Sequence, residues 1–218
     1  MPQDAALQLA TVSVVDALAR SLRERVLDGQ YAPGSTMTEA EISAAYGVSR
    51  PTARSALAVL IHEGLLHREA NKRTSVPRLS REDVEDLFLA RTPLEVEVVR
   101  LLVERGAVPV AAASRAVTDL HELGQDATHG AFVEADLRFH QSLVDAVGSP
   151  RISRVYRMIR GEMHLCMVQT RQVLGRERIV AEHRAVLDAM SSGDAAEAVS
   201  RMRAHLTGAR HSLQSLFP

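Results

Sequence analysis

From Ser80 onward the apolar residues recur with the period of an α-helix, and no stretch alternates with the two-residue period of a strand. That feature limits the fold more than any other. Ser80 with Asp83 forms a capping pair for a long helix that Gly106 stops. Further helices are expected at about 109–125, 131–147, 151–173, 176–191 and 194–215. Their breakers are Gly130, Gly148-Ser149-Pro150, Gly175 and Ser192-Gly193, with Asp194 and Glu197 capping the last. Six helices joined by short connections make an all-α bundle over residues 79–218.

The first 78 residues follow a different plan. Val15, Leu18, Leu22 and Val26 mark a helix that Gly29 ends, and YAPGS (31–35) is a turn. Thr38 and Glu41 form a capping box for a short helix that Gly47 closes. Ser49 then caps a second helix, with Pro51 in its first turn, Ala53, Ala56, Leu57 and Leu60 inward, and Gly64 at its end. Two short helices about a Gly-centred turn have the spacing of a helix-turn-helix. LLHRE and RTSVP, flanking Ala70-Asn71-Lys72, read as a small β-hairpin, which makes the unit winged. The fold class is therefore mainly α: a winged helix-turn-helix over 1–78, SVPRLS as linker, and the bundle.

Net charge is −1, which becomes informative only when split along the chain. Residues 46–78 carry six basic side chains against two acidic ones, a balance of +4, leaving −5 for the rest. Arg50, Thr52 and Arg54 lie in the first turns of the second helix, the part of such a unit that enters a major groove. Lys72 and Arg73 stand at the hairpin, within reach of phosphates or a minor groove. These features predict double-stranded DNA as a partner. Because one short recognition helix reads few base pairs, a homodimer on a palindromic operator is expected. No apolar run reaches the length of a membrane span, and the first thirty residues lack a secretory signal pattern. Cys166 is the single cysteine, which excludes an intrachain disulfide and fits a cytoplasmic location.

The run PGSTMTEAEISAAYGVSRPTARSALAVLIHEGLL resembles the winged helix of the GntR superfamily of bacterial transcription regulators. The resemblance implies that Arg50 and Arg54 contact bases and phosphates. Ala40, Ser55 and Asn71 depart from the usual Arg, Glu and Gly of that pattern, so the operator sequence does not carry over.

In the bundle, polar residues fall on apolar stripes. Asp136 and His140 share one with Phe132, Phe139, Leu143 and Val147. His183 lies among Ile179, Val186, Leu187 and Met190, and His205 among Ala198, Met202, Ala209 and Leu213. A lone inward histidine is usually a hydrogen-bonded core residue. Three of them with an inward carboxylate need a shared partner, because an unpaired buried Asp is costly. A divalent cation supplies one: the i, i+4 spacing lets Asp136 and His140 hold the same ion, and imidazole with carboxylate suits zinc, nickel, manganese or iron. Arg91 also falls on a buried stripe, and its guanidinium wants either Glu95 one turn on or an external carboxylate.

Residues 80–215 further resemble the FCD effector domain of FadR-type members of that superfamily, through ADLRFH, AEHRAVL and MRAHL in order. Ser149 replaces a common Asn after the first of these motifs. The resemblance implies a metal on Asp136, His140, His183 and His205, with zinc favoured, and a small organic acid on the ion and Arg91. It also implies a ligand-responsive regulator, repression being the default. Two other functions use the same residues. The ion itself can be the signal, or the site can hydrolyse a substrate with metal-activated water. Against the hydrolase stands the lack of a further inward general base near the ligands. Tyr156 and His164 read as off the main stripe of their helix, His121, His129 and His211 as exposed or marginal, and Met158, Met163, Met167 and Cys166 as packing.

Overall fold

The computed structural model describes residues 13–68, 73–123, 127–170 and 175–217. The wing tip expected at Ala70-Asn71-Lys72 lies outside them, and so does Lys72 as a DNA contact.

Local signals set the N-terminal elements: α1 (Val14–Leu27), β1 (Thr36–Met37), α2 (Glu39–Tyr46), α3 (Arg50–His62), β2 (His67–Arg68) and β3 (Thr74–Ser75). The α2 capping box is complete, with the Glu41 amide donating to Thr38 Oγ1 at 3.2 Å and the Thr38 amide to Glu41 Oε2 at 3.0 Å. Gly47 ends α2 with φ +64, a conformation that favours glycine, and this tight reversal places α3 across it. Ser49 caps α3 by accepting from the Thr52 amide. The sheet has three strands in the order β1-β3-β2, all antiparallel, with Thr36 opposite Ser75 and His67 opposite Ser75 on the other side. The sequence showed the hairpin but not β1, because two residues after a Pro-Gly turn carry no periodicity.

The bundle comprises α4 (Arg81–Glu104), α5 (Val110–Glu122), α6 (His129–Ala146), α7 (Pro150–Thr170), α8 (Arg176–Ser191) and α9 (Ala195–Gln214). Ser80 and Asp83 form the expected capping box at the start of α4. Pro93 interrupts the α4 ladder on its exposed side, a turn from Leu89, which is 72% exposed. Arg91 and Glu95 stay on the buried side.

Among the described residues there are two hydrophobic cores. One fills the winged helix around Leu22, Ile42, Leu57 and Leu60, and the other fills the bundle around Phe88, Phe132, Phe139 and Val186. Leu79 packs against both. Helix α7 also joins them. Its Met163, Cys166 and Met167 belong to the bundle core, whereas Leu165 is 1% exposed inside the winged-helix core. Gln169 ties the same helix to the linker by donating to the Pro77 carbonyl at 2.8 Å and accepting from the Leu79 amide at 3.4 Å. Where α7 meets the end of α3 the backbones nearly touch: a Cβ on Gly161 would lie 1.7 Å from the Glu63 carbonyl oxygen.

Two placements differ from the sequence reading. Tyr156 and His164 are buried, at 0% and 6% exposure, because α7 packs against two cores and hides more than one stripe. Met158 is 40% exposed and so is not a packing residue.

Gly161→Ala must push α7 off the end of α3, since backbone cannot rotate away as a side chain can. The overpacking should lower stability by about 1–3 kcal/mol despite alanine's better helix propensity, read as a lower Tm. An unchanged Tm would mean that the two backbones are not held in contact.

Burial, with Arg160 and His129 adding to it, pushes the His164 imidazole down to about 3. The unfolded chain takes up that proton below about pH 6.5, and the folded chain does not until near 3. The stabilisation is complete above 6.5 and is lost as pH falls towards 3, by at most about 1.4 kcal/mol per pH unit. Denaturant unfolding of His164→Gln between pH 7 and 4 should show a slope shallower by about one proton than the parent. Parallel curves would place a charged imidazole at His164.

Candidate functional site

Three helices deliver the three imidazoles. The α6 stripe carries His140, α8 carries His183 and α9 carries His205, at 1%, 0% and 6% exposure. Their Nε2 atoms converge: His183 to His140 is 3.2 Å, and His205 lies 3.3 Å from both. Phe139 holds the His183 ring by stacking on it, with centroids 4.2 Å apart. Asp136, 4% exposed, stands at the side of this triangle with Oδ1 3.4 Å from His183 Nε2. The compact donor set is thus the three histidines. Asp136 is adjacent to it rather than inside it.

Two carboxylates that the sequence reading did not connect to the site fix the ring orientations. Glu95, on α4, accepts from His140 Nδ1 at 2.6 Å, and Glu182, on α8, accepts from His205 Nδ1 at 2.8 Å. A proton held on each Nδ1 leaves Nε2 of both rings as a bare lone pair. Two lone pairs 3.3 Å apart repel unless something positive lies between them. His183 can offer one N–H to either ring and cannot serve both equally. Burial, reinforced by His205 and His140, drives His183 well below its ordinary value, and burial lowers His140 too, so an extra proton is disfavoured. A divalent cation fits: nitrogens about 2.0–2.1 Å from one tetrahedral ion lie about 3.3–3.4 Å apart, which matches the triangle. A carboxylate on the far nitrogen is the usual arrangement behind a metal-binding histidine.

Glu95 was expected at most as a partner of Arg91, and it is that as well. Arg91 Nε donates to Oε1 at 2.5 Å, and the Tyr156 hydroxyl donates to the same oxygen at 2.9 Å. Arg91 and Glu95 are each 2% exposed. Burial alone would discharge both, but each holds the other ionised: Arg91 is raised and Glu95 lowered from their ordinary values. Arg91 Nη2 has no partner among the described residues. Arg91 borders a small cavity with Asp136, Met163, Met167 and His205, of about 10 Å³, room for one water. The expectation that no further inward carboxylate stands near the ligands is therefore corrected. Both Glu95 and Glu182 already accept a proton from a histidine of the triangle, so neither is free to serve as a general base. No local signal could have revealed these links, since Glu95 and His140 are 45 positions apart in the chain and Glu182 and His205 are 23.

At the other end of the molecule, Arg50 and Arg54 project from the first turns of α3 and are exposed, with Thr52 half-buried beside the cap. Arg54 is gripped at both Nε and Nη2 by Glu39 of α2, at 2.8 and 2.9 Å. Arg73 is exposed next to β3. A winged helix with an arginine-bearing recognition helix, carried on a histidine-rich bundle, defines a DNA-binding transcription regulator of two parts.

Comparison with known proteins bears this out. Residues 15–76 match the model of bacterial regulatory proteins of the gntR family, and residues 86–208 match the FCD domain. The HTH-type transcriptional regulator Mce2R of Mycobacterium tuberculosis is 30% identical over 202 residues, covering 84% of each chain. The gluconate operon transcriptional repressor of Bacillus subtilis is 22% identical over 218 residues, 96% of this chain and 88% of its own. The crystal structure of a putative GntR regulator from Rhodococcus sp. RHA1 superposes with a TM-score of 0.81 at 23% identity, covering 95% of this chain and all of that one. The chain belongs to the GntR family, with a C-terminal FCD domain, and the proteins it matches are regulators rather than enzymes.

Glu95→Gln leaves Arg91 buried without its counter-ion and His140 without its carboxylate. Stability of chelator-treated protein should fall by about 3–5 kcal/mol. Affinity for an ion held by the histidines should drop roughly 10- to 100-fold. Equal melting curves for Glu95→Gln and the parent would sink the idea that this carboxylate organises the site.

Proposed function

We propose that the protein is a cytoplasmic, homodimeric repressor that binds a palindromic operator through its winged helices and is released by a small carboxylic acid. The acid would bind beside a divalent ion, zinc first among the candidates, held by His140, His183 and His205 with Asp136 in support. The observation that carries this reading is the pair of tautomer-fixed lone pairs on His140 and His205, 3.3 Å apart in a buried site. When bound, the ion supplies a Lewis-acidic anchor for a carboxylate oxygen.

The chain's own residues do the rest. Arg91 Nη2, buried and unpartnered, is a donor for the acid's second oxygen. Met163 and Met167 form the wall that must move, and their unbranched, flexible side chains suit that task. The same helix carries the contacts to the winged helix, so admitting the acid biases the position of α3. The gluconate operon repressor among the relatives makes sugar acids the first class to try.

A second reading follows from the size of the cavity. At about 10 Å³ it admits no acid without rearrangement, which favours the ion alone as the signal.

One experiment separates the two. Binding of a labelled fragment of the protein's own upstream DNA is followed against random DNA, with metal-loaded and chelator-stripped protein, while gluconate and other small mono- and dicarboxylates are titrated in. Release by an acid only in the loaded state supports the first reading. Release or capture that follows free metal, with every acid inert, supports the second. No preference for the upstream fragment would refute both. His183→Ala and His205→Ala should each lower the Tm of loaded protein and lose bound metal, and full metal content in either would remove that residue from the ligand set.

A further inference from the structure

The metal site is not the only place where buried donors lack partners. Between the two domains lies a cavity of about 540 Å³, within the range that holds small-molecule ligands. One wall is the face of α7 that carries Arg157, Arg160 and His164. His164 is 6% exposed and its Nε2 has no partner among the described residues, and neither has Nε of Arg160. Arg157 is exposed. Gly130, in the first turn of the 18-residue helix α6, lines the same space, and a Cβ there would meet no described residue within 4 Å. A helix start brings the positive end of the dipole to that wall, with the Ala131 amide already donating to Thr128 Oγ1 at 3.2 Å.

The acidic groups do not cancel this character at the α7 end. Glu134 is engaged by Arg160 Nη2 at 2.5 Å and its other oxygen lies 3.5 Å from His164 Nδ1, while Glu63 is held by Arg23 at 2.6 Å. The remaining acids, Glu24 and Asp28, stand on α1 across the cavity. The space is therefore two-ended, with donors for an oxyanion on α6 and α7 and carboxylate acceptors on α1.

We propose that this interdomain cavity is a second ligand site, separate from the histidine cluster. Its occupant would be a small molecule with a phosphate or carboxylate oxyanion held by Arg157, Arg160 and the start of α6, with one hydroxyl donating to His164 Nε2 and other hydroxyl or amino groups turned towards Glu24 and Asp28. An occupant touching α1 and α7 together pins the winged helix to the bundle. The site offers a second input to DNA binding that needs no metal.

The test is calorimetry on the full chain, metal-loaded and chelator-stripped, with inorganic phosphate as the probe. Gly130→Asp places a like charge in open space at the helix start, where an acidic residue favours the helix itself, so the fold should hold. Arg157→Gln removes an exposed charge. Phosphate should bind both forms of the parent equally and bind each variant about tenfold more weakly or worse, with the Tm of the free variants unchanged. Absence of binding, undiminished binding in both variants, or binding that vanishes on stripping would each overturn the site. A sugar phosphate and a sugar acid then identify the oxyanion by which binds more tightly than phosphate. If both bind no better than phosphate, the two-ended occupant is wrong.

Discussion

The carboxylate of Glu95 is the point on which the bundle turns. A buried anion is tolerable only when its lone pairs are all taken, and here three helices supply the donors: Arg91 on α4 itself, His140 on α6 and Tyr156 on α7. Each donor also needs Glu95. Without it Arg91 is a buried charge with no close counter-ion, the His140 tautomer is undetermined, and a phenol is left in an apolar core. Such an arrangement adds little net stability over a well-packed apolar one, but breaking any member of it is expensive. Its contribution is to geometry. By holding the proton on His140 Nδ1 it aims the opposite lone pair at His183 and His205, and the histidine triangle follows from that orientation.

Helix α7 passes the consequences to the rest of the molecule. Its 21 residues span about 30 Å, and they face two ways. Tyr156, Met163 and Met167 look into the bundle, while Gly161, Leu165 and Gln169 look towards the winged helix and linker. Positions 161, 165 and 169 repeat every four residues, so they form one stripe, and a stiff rod carries both sets at fixed separation.

What the sequence discloses and what it hides divide by range of interaction. Caps, breakers and stripes are local, and from them Thr38, Gly47, Ser49, Ser80 and the helices of the bundle were readable. His140, His183 and His205 were readable because each sits on an apolar stripe where a polar group needs a reason, and the structure brings these three together. The same reasoning placed Asp136 with them, and its Oδ1 lies 3.4 Å from His183 Nε2, at the edge of the nitrogen triangle. The orienting carboxylates escaped because an Asp or Glu becomes an orienter only through the helix it faces. Tyr156 and His164 escaped for a related reason: a single-stripe reading of α7 assumes one core, and this helix serves two.

That dual service bears on how a signal can travel. The cavity beside Arg91 is too small for an organic acid as it stands, and its movable wall is Met163 and Met167 on α7. If those side chains alone swing aside, nothing reaches the winged helix. If α7 itself shifts, the stripe at 161, 165 and 169 shifts with it. Side chains at most interfaces could absorb that movement by changing rotamer. At Gly161 the facing atom is the backbone carbonyl of Glu63, at the end of the recognition helix, with no side chain between to take up slack. A displacement of α7 there must either move α3 or open the seam, and both outcomes change how the recognition helix is presented to DNA. The glycine is thus more than a space-saving residue: it removes the compliant layer that would otherwise separate the helical bundle from the recognition helix.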